Sequence, residues 1–414
     1  MNTLGGDLLP GGRRPSPSGH RSDMPPPSPL LEAYHGTYQS ISPMPFAIKD
    51  DDDLSDMESL ELTSSRHHVW QKPHGNLSQD VSILVKDKKR VTVYDAEGDA
   101  KRLSKALAHT KPDPDPIIDI LPTLSHDQIW ELRKEYKKLV KIQGKGINLP
   151  KHLKLKLPGT NFGKAAYVTA LARWESEGYW ANFWYQAHGS RRELLVEALM
   201  GRTNAEIRMI KDEFKDKRYA DSLDRCMEKE LKMDKFRTAV LLVLEERRQE
   251  ENEVYPPEYV GRDVEVLHQA LTAPKGGETA MLQVVILRSD RHLREILREY
   301  ERRYGENFAR AALRKSNNLV GEVIAHILNG VINKAARDAL LLHHALQDIA
   351  EKNKDDELRY ELLISRLIRV HWDKAHLERV KRTYYERFKT VLEDDIDDAT
   401  VSDFREFMVK LCEK

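Results

Sequence analysis

Cysteine is nearly missing from this chain: Cys226 and Cys412 are the only two in 414 residues. Their scarcity excludes a disulfide framework and fits a reducing compartment. Long apolar runs are missing as well. No stretch approaches the roughly 20 residues of a membrane-spanning helix, and no apolar secretory core follows the N-terminus. Net charge is missing too, since 67 basic residues face 67 acidic ones. A balanced chain is no general polyanion binder, so no nucleic-acid partner is expected. These absences read together as a soluble, cytoplasmic protein.

Proline is concentrated rather than spread. Ten of the 19 prolines lie in residues 1–73, mixed with Ser, Gly and the acidic run "KDDDDLSDMESLE". Such a segment cannot bury enough apolar surface to offset its ordering entropy. Residues 1–85 are therefore expected to be a disordered Pro/Ser-rich and acidic tail, suited to recruiting a protein partner. The acidic run lacks the glycine that an EF-hand loop needs at its sixth position.

From about residue 90 the pattern is almost wholly helical, with charged faces and Leu/Ile/Ala stripes. It also repeats. "ILPTLSHDQIWELRKEYKKL", "LMGRTNAEIRMIKDEFKDK", "VILRSDRHLREILREYERRYG" and "RVHWDKAHLERVKRTYYERF" superimpose without gaps. Leu124, Arg202, Arg288 and Trp372 share one column; Ile129, Ile207, Leu293 and Leu377 share the next apolar one. Tyr136, Phe214, Tyr300 and Tyr384 form an aromatic column, at steps of 214 − 136 = 78, 300 − 214 = 86 and 384 − 300 = 84. "SKAL", "HQAL" and "LHHAL" mark a preceding helix in copies one, three and four. Four copies of one multi-helix unit predict an all-α repeat protein.

These residues resemble the annexin repeat. "VYDAEGDAKRLSKAL" is similar to the family's opening Phe-Asp-Ala…Asp-Ala…Leu-Arg-Lys-Ala-Met segment, and "GRTNAEI" with "DEF" to its Arg-Ser/Thr-Asn…Phe signature. The "HWDKAHL" of the fourth copy reads like the fungal branch. The resemblance implies a curved disc of four repeats, each of about five helices, at 90–175, 178–255, 260–333 and 337–414. It implies no enzyme, but a cytoplasmic protein that binds acidic phospholipid surfaces peripherally through calcium. The alternative is a calcium-independent annexin-fold scaffold whose protein partners are recruited through the tail.

In that family Gly-x-Gly-Thr joins the first two helices of a repeat and its carbonyls bind calcium. A carboxylate forty positions after the second glycine completes the site. Calcium, a hard cation, takes six to eight oxygens, and glycines let a loop expose carbonyls to it. Here only "AHGS" approaches the pattern, with Ser190 and Glu193 at capping-box spacing behind it. The resemblance then implies calcium ligands at Ala187, Gly189 and, one residue off register beyond Lys229, Glu230. The other slots fall on "KPDPDP", "APKGGET" and "EKNKDDEL". Fifteen residues after the aromatic column, the carboxylate position holds Lys151, Lys229, Lys315 and Ala399. A lysine about 5 Å from a divalent ion would cost roughly 6 kcal/mol at an effective dielectric of 20. Calcium is thus expected to be a weak or vestigial cofactor, with copy two the one surviving site.

The strongest local charge asymmetry is "RKEYKKLVKIQGKGINLPKHLKLKLPG", residues 133–159. Lys151, Lys154 and Lys156 are its candidate lipid-binding residues, since each cation near an anionic leaflet is worth about 1 kcal/mol. "GTNFGKA" has three residues between its glycines where a phosphate-binding loop has four, and no Ser/Thr follows Lys164. His343, His344 and His371 lack a second ligand group at metal spacing, and no catalytic grouping stands out. Trp174, Trp180 and Trp184 are expected in the core.

Overall fold

The computed structural model describes residues 94–186, 192–316, 318–350 and 359–413. The tail expected at 1–85 lies outside them. The first set of helices is α1 (Ala96–Ala108), α2 (Asp115–Ile120), α3 (His126–Leu139), α4 (Leu149–Lys156) and α5 (Asn161–Ala170). The second is α6 (Arg173–Gln186), α7 (Glu193–Leu199), α8 (Asn204–Glu213), α9 (Leu223–Glu230) and α10 (Lys235–Leu244). The third opens with α11 (Pro257–Thr272), α12 (Glu278–Leu287), α13 (Asp290–Tyr304) and α14 (Phe308–Lys315).

α15 (Leu319–Ala350) is continuous in outline but breaks at Asn333, whose backbone is extended. The Asn333 side chain accepts from the Ala336 amide at 2.9 Å, so it caps the second arm. One arm therefore closes the third set and the other opens the fourth. That set continues with α16 (Arg359–His371), α17 (Lys374–Phe388), α18 (Leu392–Ala399) and α19 (Ser402–Cys412). Four repeats of five helices result.

The third helix of each repeat shows why the sequence columns work. Ser125, Thr203, Ser289 and Asp373 cap α3, α8, α13 and α17, each accepting an amide three residues on. In the first two, Gln128 and Glu206 return the bond and complete a capping box. The apolar column Ile129, Ile207, Leu293 and Leu377 follows at 1% exposure or less, and the aromatic column at 2% or less. Both join one contiguous core. The "HQAL" and "LHHAL" histidines serve the aromatic column: His268 Nδ1 lies 3.3 Å from the Tyr300 hydroxyl, and His343 Nδ1 lies 3.1 Å from that of Tyr384.

A cation from every third helix also reaches the carboxyl end of the fifth. Arg133 donates to the Leu171 carbonyl, Lys211 to Leu244, Arg294 to Val331 and Lys381 to Cys412, at 2.8–3.3 Å. These carbonyls have no partner within their helix and carry the negative end of its dipole, so a cation there is stabilising. In repeat 3 the role moves from Leu297, at the column of the other three, to Arg294 one turn earlier.

Two sequence features find structural explanations. "GTNFGKA" is a helix start: the Thr160 hydroxyl accepts from the Gly163 amide at 3.0 Å, and a Cβ at Gly163 would sit 2.1 Å from the Leu157 carbonyl. Lys164 is spent on an ion pair with buried Glu361. Trp174 and Trp180 are core residues, as expected.

The repeats are also joined by buried charge. Arg366 holds Glu197 with contacts of 2.7–3.1 Å, and Arg369 grips Glu177 through two contacts of 2.8 Å while reaching Glu197 at 3.1 Å. Burial opposes ionisation of Glu177, but Arg369 and Arg202 outweigh it and hold its carboxyl below the ordinary range.

Candidate functional site

In repeats 1 and 3 the loop joining the first and second helices lies beside the end of the fourth helix, and across the four repeats those ends differ in residue type. α4 ends on Lys156, α9 on Glu230, α14 on Lys315 and α18 on Ala399. Counting fifteen from the aromatic column found the last two but misplaced the first two. From the aromatic column the actual distances are 156 − 136 = 20, 230 − 214 = 16, 315 − 300 = 15 and 399 − 384 = 15. In repeat 1 the excess comes from a hairpin, Lys141–Ile142 against Lys145–Gly146, turning on Gln143 and Gly144 at positive φ. This short pairing has no counterpart in the sequence reading. In repeat 2 a turn at Lys217–Tyr219 accompanies the single extra residue.

Glu230 is thus in register with the other ends. It is half-buried, and its Oε1 accepts a hydrogen bond from the Tyr219 hydroxyl at 2.8 Å. Lys229 instead lies over the Tyr219 ring, 5.5 Å from its centroid. The other proposed calcium ligands, Ala187 and Gly189, fall outside the described residues. So does the fourth repeat's loop, "EKNKDDEL". α7 begins at Glu193 with Arg192 as its cap residue, while Ser190 also lies outside the described residues.

In repeats 1 and 3 an ammonium meets the loop. Lys156 Nζ donates to the carbonyl of His109, the residue closing α1, at 3.2 Å. Lys315 Nζ donates to the carbonyl of Ala273, which closes α11 in the same way. The third loop turns on Gly276 and Gly277, with φ of +78° and +87°. A Cβ at Gly277 would lie 2.2 Å from the Ala270 carbonyl, so the glycine permits a tight reversal against α11. Glu278, just beyond, pairs with Lys235 and accepts from Asn318 at 2.7 Å. In the first loop Pro114 and Pro116 start α2, with Pro116 among its first residues, where their missing amides cost nothing.

The residues of loops 1 and 3 therefore do not fit calcium: the closing carbonyl faces a cation of the chain itself. Among the described residues no group of three or more His, Cys, Asp or Glu side chains could hold a metal ion. The candidate histidines are likewise occupied, His343 stacking on Phe388 at 3.7 Å and His371 Nδ1 meeting the Leu411 carbonyl at 2.9 Å. Of the basic trio, Lys151 and Lys154 are exposed on α4, Lys154 lies 5.4 Å from the Tyr167 ring, and Lys156 is half-buried on His109.

Comparison with known proteins points to annexins. Over 327 residues the chain is 26% identical to annexin C1 of Cryptococcus neoformans var. grubii, covering 78% of this chain and 66%, just under two thirds, of that protein. Over 326 residues it is 26% identical to mouse annexin A13, covering 77% of this chain and 95% of the other. In sequence the chain is similar to annexins along most of its length. The solved structure of annexin III shares its fold, with a TM-score of 0.67, 21% identity and coverage of 80% and 96% of the two chains. Calcium-bound annexin (Sm)1 matches with a TM-score of 0.62 at 19% identity, covering 77% of this chain and 90% of the other. No family model matches the chain. Among the described residues no helix is long and apolar enough to cross a membrane.

Proposed function

We propose that this chain is an annexin-type peripheral protein of acidic phospholipid surfaces whose calcium dependence rests on repeat 2 alone. The observation that carries the reading is the set of fourth-helix ends, Lys156, Glu230, Lys315 and Ala399, of which only Glu230 can offer calcium a negative oxygen. In this reading the carbonyls of Ala187 and Gly189 join Glu230, and each unit at 90–175, 178–255, 260–333 and 337–414 presents one loop to the lipid. Ala187 is acceptable because a carbonyl ligand is indifferent to its side chain. With Lys229 adjacent, affinity belongs at about 10⁻⁴–10⁻³ M, among the weaker calcium modules.

The remaining adhesion is electrostatic. Exposed Lys151 and Lys154 face solvent with Lys141 and Lys145 of the hairpin nearby in sequence. Each contributes about 1 kcal/mol near an anionic leaflet and fades within a Debye length. Lys156, engaged with His109, contributes least. Cosedimentation with vesicles of graded phosphatidylserine content tests this, in chelator and in calcium, at low and high salt. The expected result is binding that persists in chelator, weakens with salt and gains a calcium increment. Absence of vesicle binding under every condition would overturn it in favour of the scaffold alternative, with protein partners recruited through residues 1–85.

A further inference from the structure

We infer that Lys156 and Lys315 are built-in cations that do the structural part of calcium's work in repeats 1 and 3, fixing each loop to its fourth helix without a metal. Two independent contacts carry this. Both lysines are the last residue of a fourth helix, and both donate Nζ to the carbonyl that closes the first helix of the same repeat. The repeats differ in loop sequence, loop length and the hairpin insertion, yet the same two backbone positions are bridged by the same group. The span between donor and acceptor is 47 residues in one and 42 in the other.

The chemistry suits the substitution. The closing carbonyl stands at the negative end of a helix dipole and has no partner within its helix. A lysine ammonium is a compact point charge with three donors on a flexible stem, so it can satisfy such an oxygen from across the loop. It needs fewer oxygens than the six to eight of calcium and leaves no open coordination position for water or phosphate. The loop is consequently fixed but has no metal with which to bridge to a ligand. A divalent ion approaching Ala273 would meet the Lys315 ammonium, and Lys275 is exposed on the same loop. Repeat 2 carries a carboxylate at this position and repeat 4 an alanine, neither of which can donate as an ammonium does.

Hydrogen exchange of the full chain, read locally at the Ala273 and Asp113 amides, which donate to the Gln269 and Ala106 carbonyls at 3.0 and 3.1 Å, tests the inference. In wild type, the Ala273 amide should be protected in chelator and unchanged by millimolar calcium. Lys315→Met should speed exchange there by on the order of tenfold while leaving Asp113 alone, and Lys156→Met should do the reverse. Lys315→Arg should retain protection, since it keeps a cation and a donor. Lys315→Glu should lose protection in chelator and regain it in calcium. The inference is overturned if Lys315→Met leaves the Ala273 amide unchanged, or if calcium slows exchange of the wild-type loop. It is equally overturned if Lys315→Glu loosens the loop without a calcium response, which would make the lysine an ordinary tether. Normal protection of the buried α13 amides in each variant shows that a local change is not global unfolding.

Discussion

Repeats 2 and 3 are built on the same five-helix plan, yet their loop faces carry opposite charge at one position. In repeat 3 the fourth helix ends on Lys315, which reaches the Ala273 carbonyl; in repeat 2 it ends on Glu230, held by the Tyr219 hydroxyl. The interior of the two is nearly interchangeable, with Ile207 and Leu293, or Phe214 and Tyr300, equally buried. The difference teaches that the scaffold and the loop chemistry are separable: the core fixes where a helix ends, while a single residue sets the sign of the charge placed there.

The comparison breaks most severely if its shared scaffold is removed. Phe214→Ala should cost about 3–5 kcal/mol, because Phe214 is 2% exposed and packs beside Gly178, with little room to collapse. Chemical denaturation reads this directly, and a loss below about 1 kcal/mol would mean that the columns do not mark equivalent core sites. Slightly smaller is the loss for Arg366→Met, which leaves Glu197 buried with only Arg369 for a partner. About 3 kcal/mol is expected, and the midpoint in urea measures it.

A third test uses pH. Glu213 is pushed up to about 7, chiefly by burial, with the nearby Glu175 charge adding to it. The folded state keeps this proton up to about pH 7, whereas the unfolded chain releases it near 4.5. Its stabilising contribution is therefore complete below about pH 4.5 and lost as pH rises through about 7. Glu213→Gln should flatten that slope, leaving the variant less penalised than wild type at pH 8, by on the order of 2 kcal/mol. Melting curves across pH 5–8 would contradict this if the two proteins stay parallel. The smallest effect is expected for Glu278→Gln, which weakens the link to Lys235 and Asn318. A loss of about 0.5–1 kcal/mol, with no change in any calcium response, would mark Glu278 as structural.

Much of the scaffold was legible because it depends on local rules. The apolar and aromatic columns use only helical spacing, and the caps that the structure shows ahead of them, at Ser125, Thr203, Ser289 and Asp373, involve only neighbouring residues. The ends of the fourth helices were legible only where no insertion intervenes. The hairpin at Lys141–Gly146 moved the position from Lys151 to Lys156, and one extra residue moved it from Lys229 to Glu230. The ammonium contacts were hidden because a sequence does not say which loop a lysine faces 42 or 47 residues away. Hidden for the same reason were the pairs Lys164–Glu361 and Arg366–Glu197, whose partners lie 197 and 169 residues apart. At Asn333 no glycine or proline signals the break in α15, and its cap on the Ala336 amide shows only in the structure.

The central claim, that calcium acts through repeat 2 alone, is tested most directly by titrating calcium into the protein with phosphatidylserine vesicles and comparing wild type with Glu230→Gln. The substitution keeps the shape and the bond from Tyr219 while removing the charge. The account predicts that the calcium-dependent increment of vesicle binding disappears in Glu230→Gln while the salt-sensitive, chelator-resistant part remains. A calcium increment of equal size in the two proteins would contradict it.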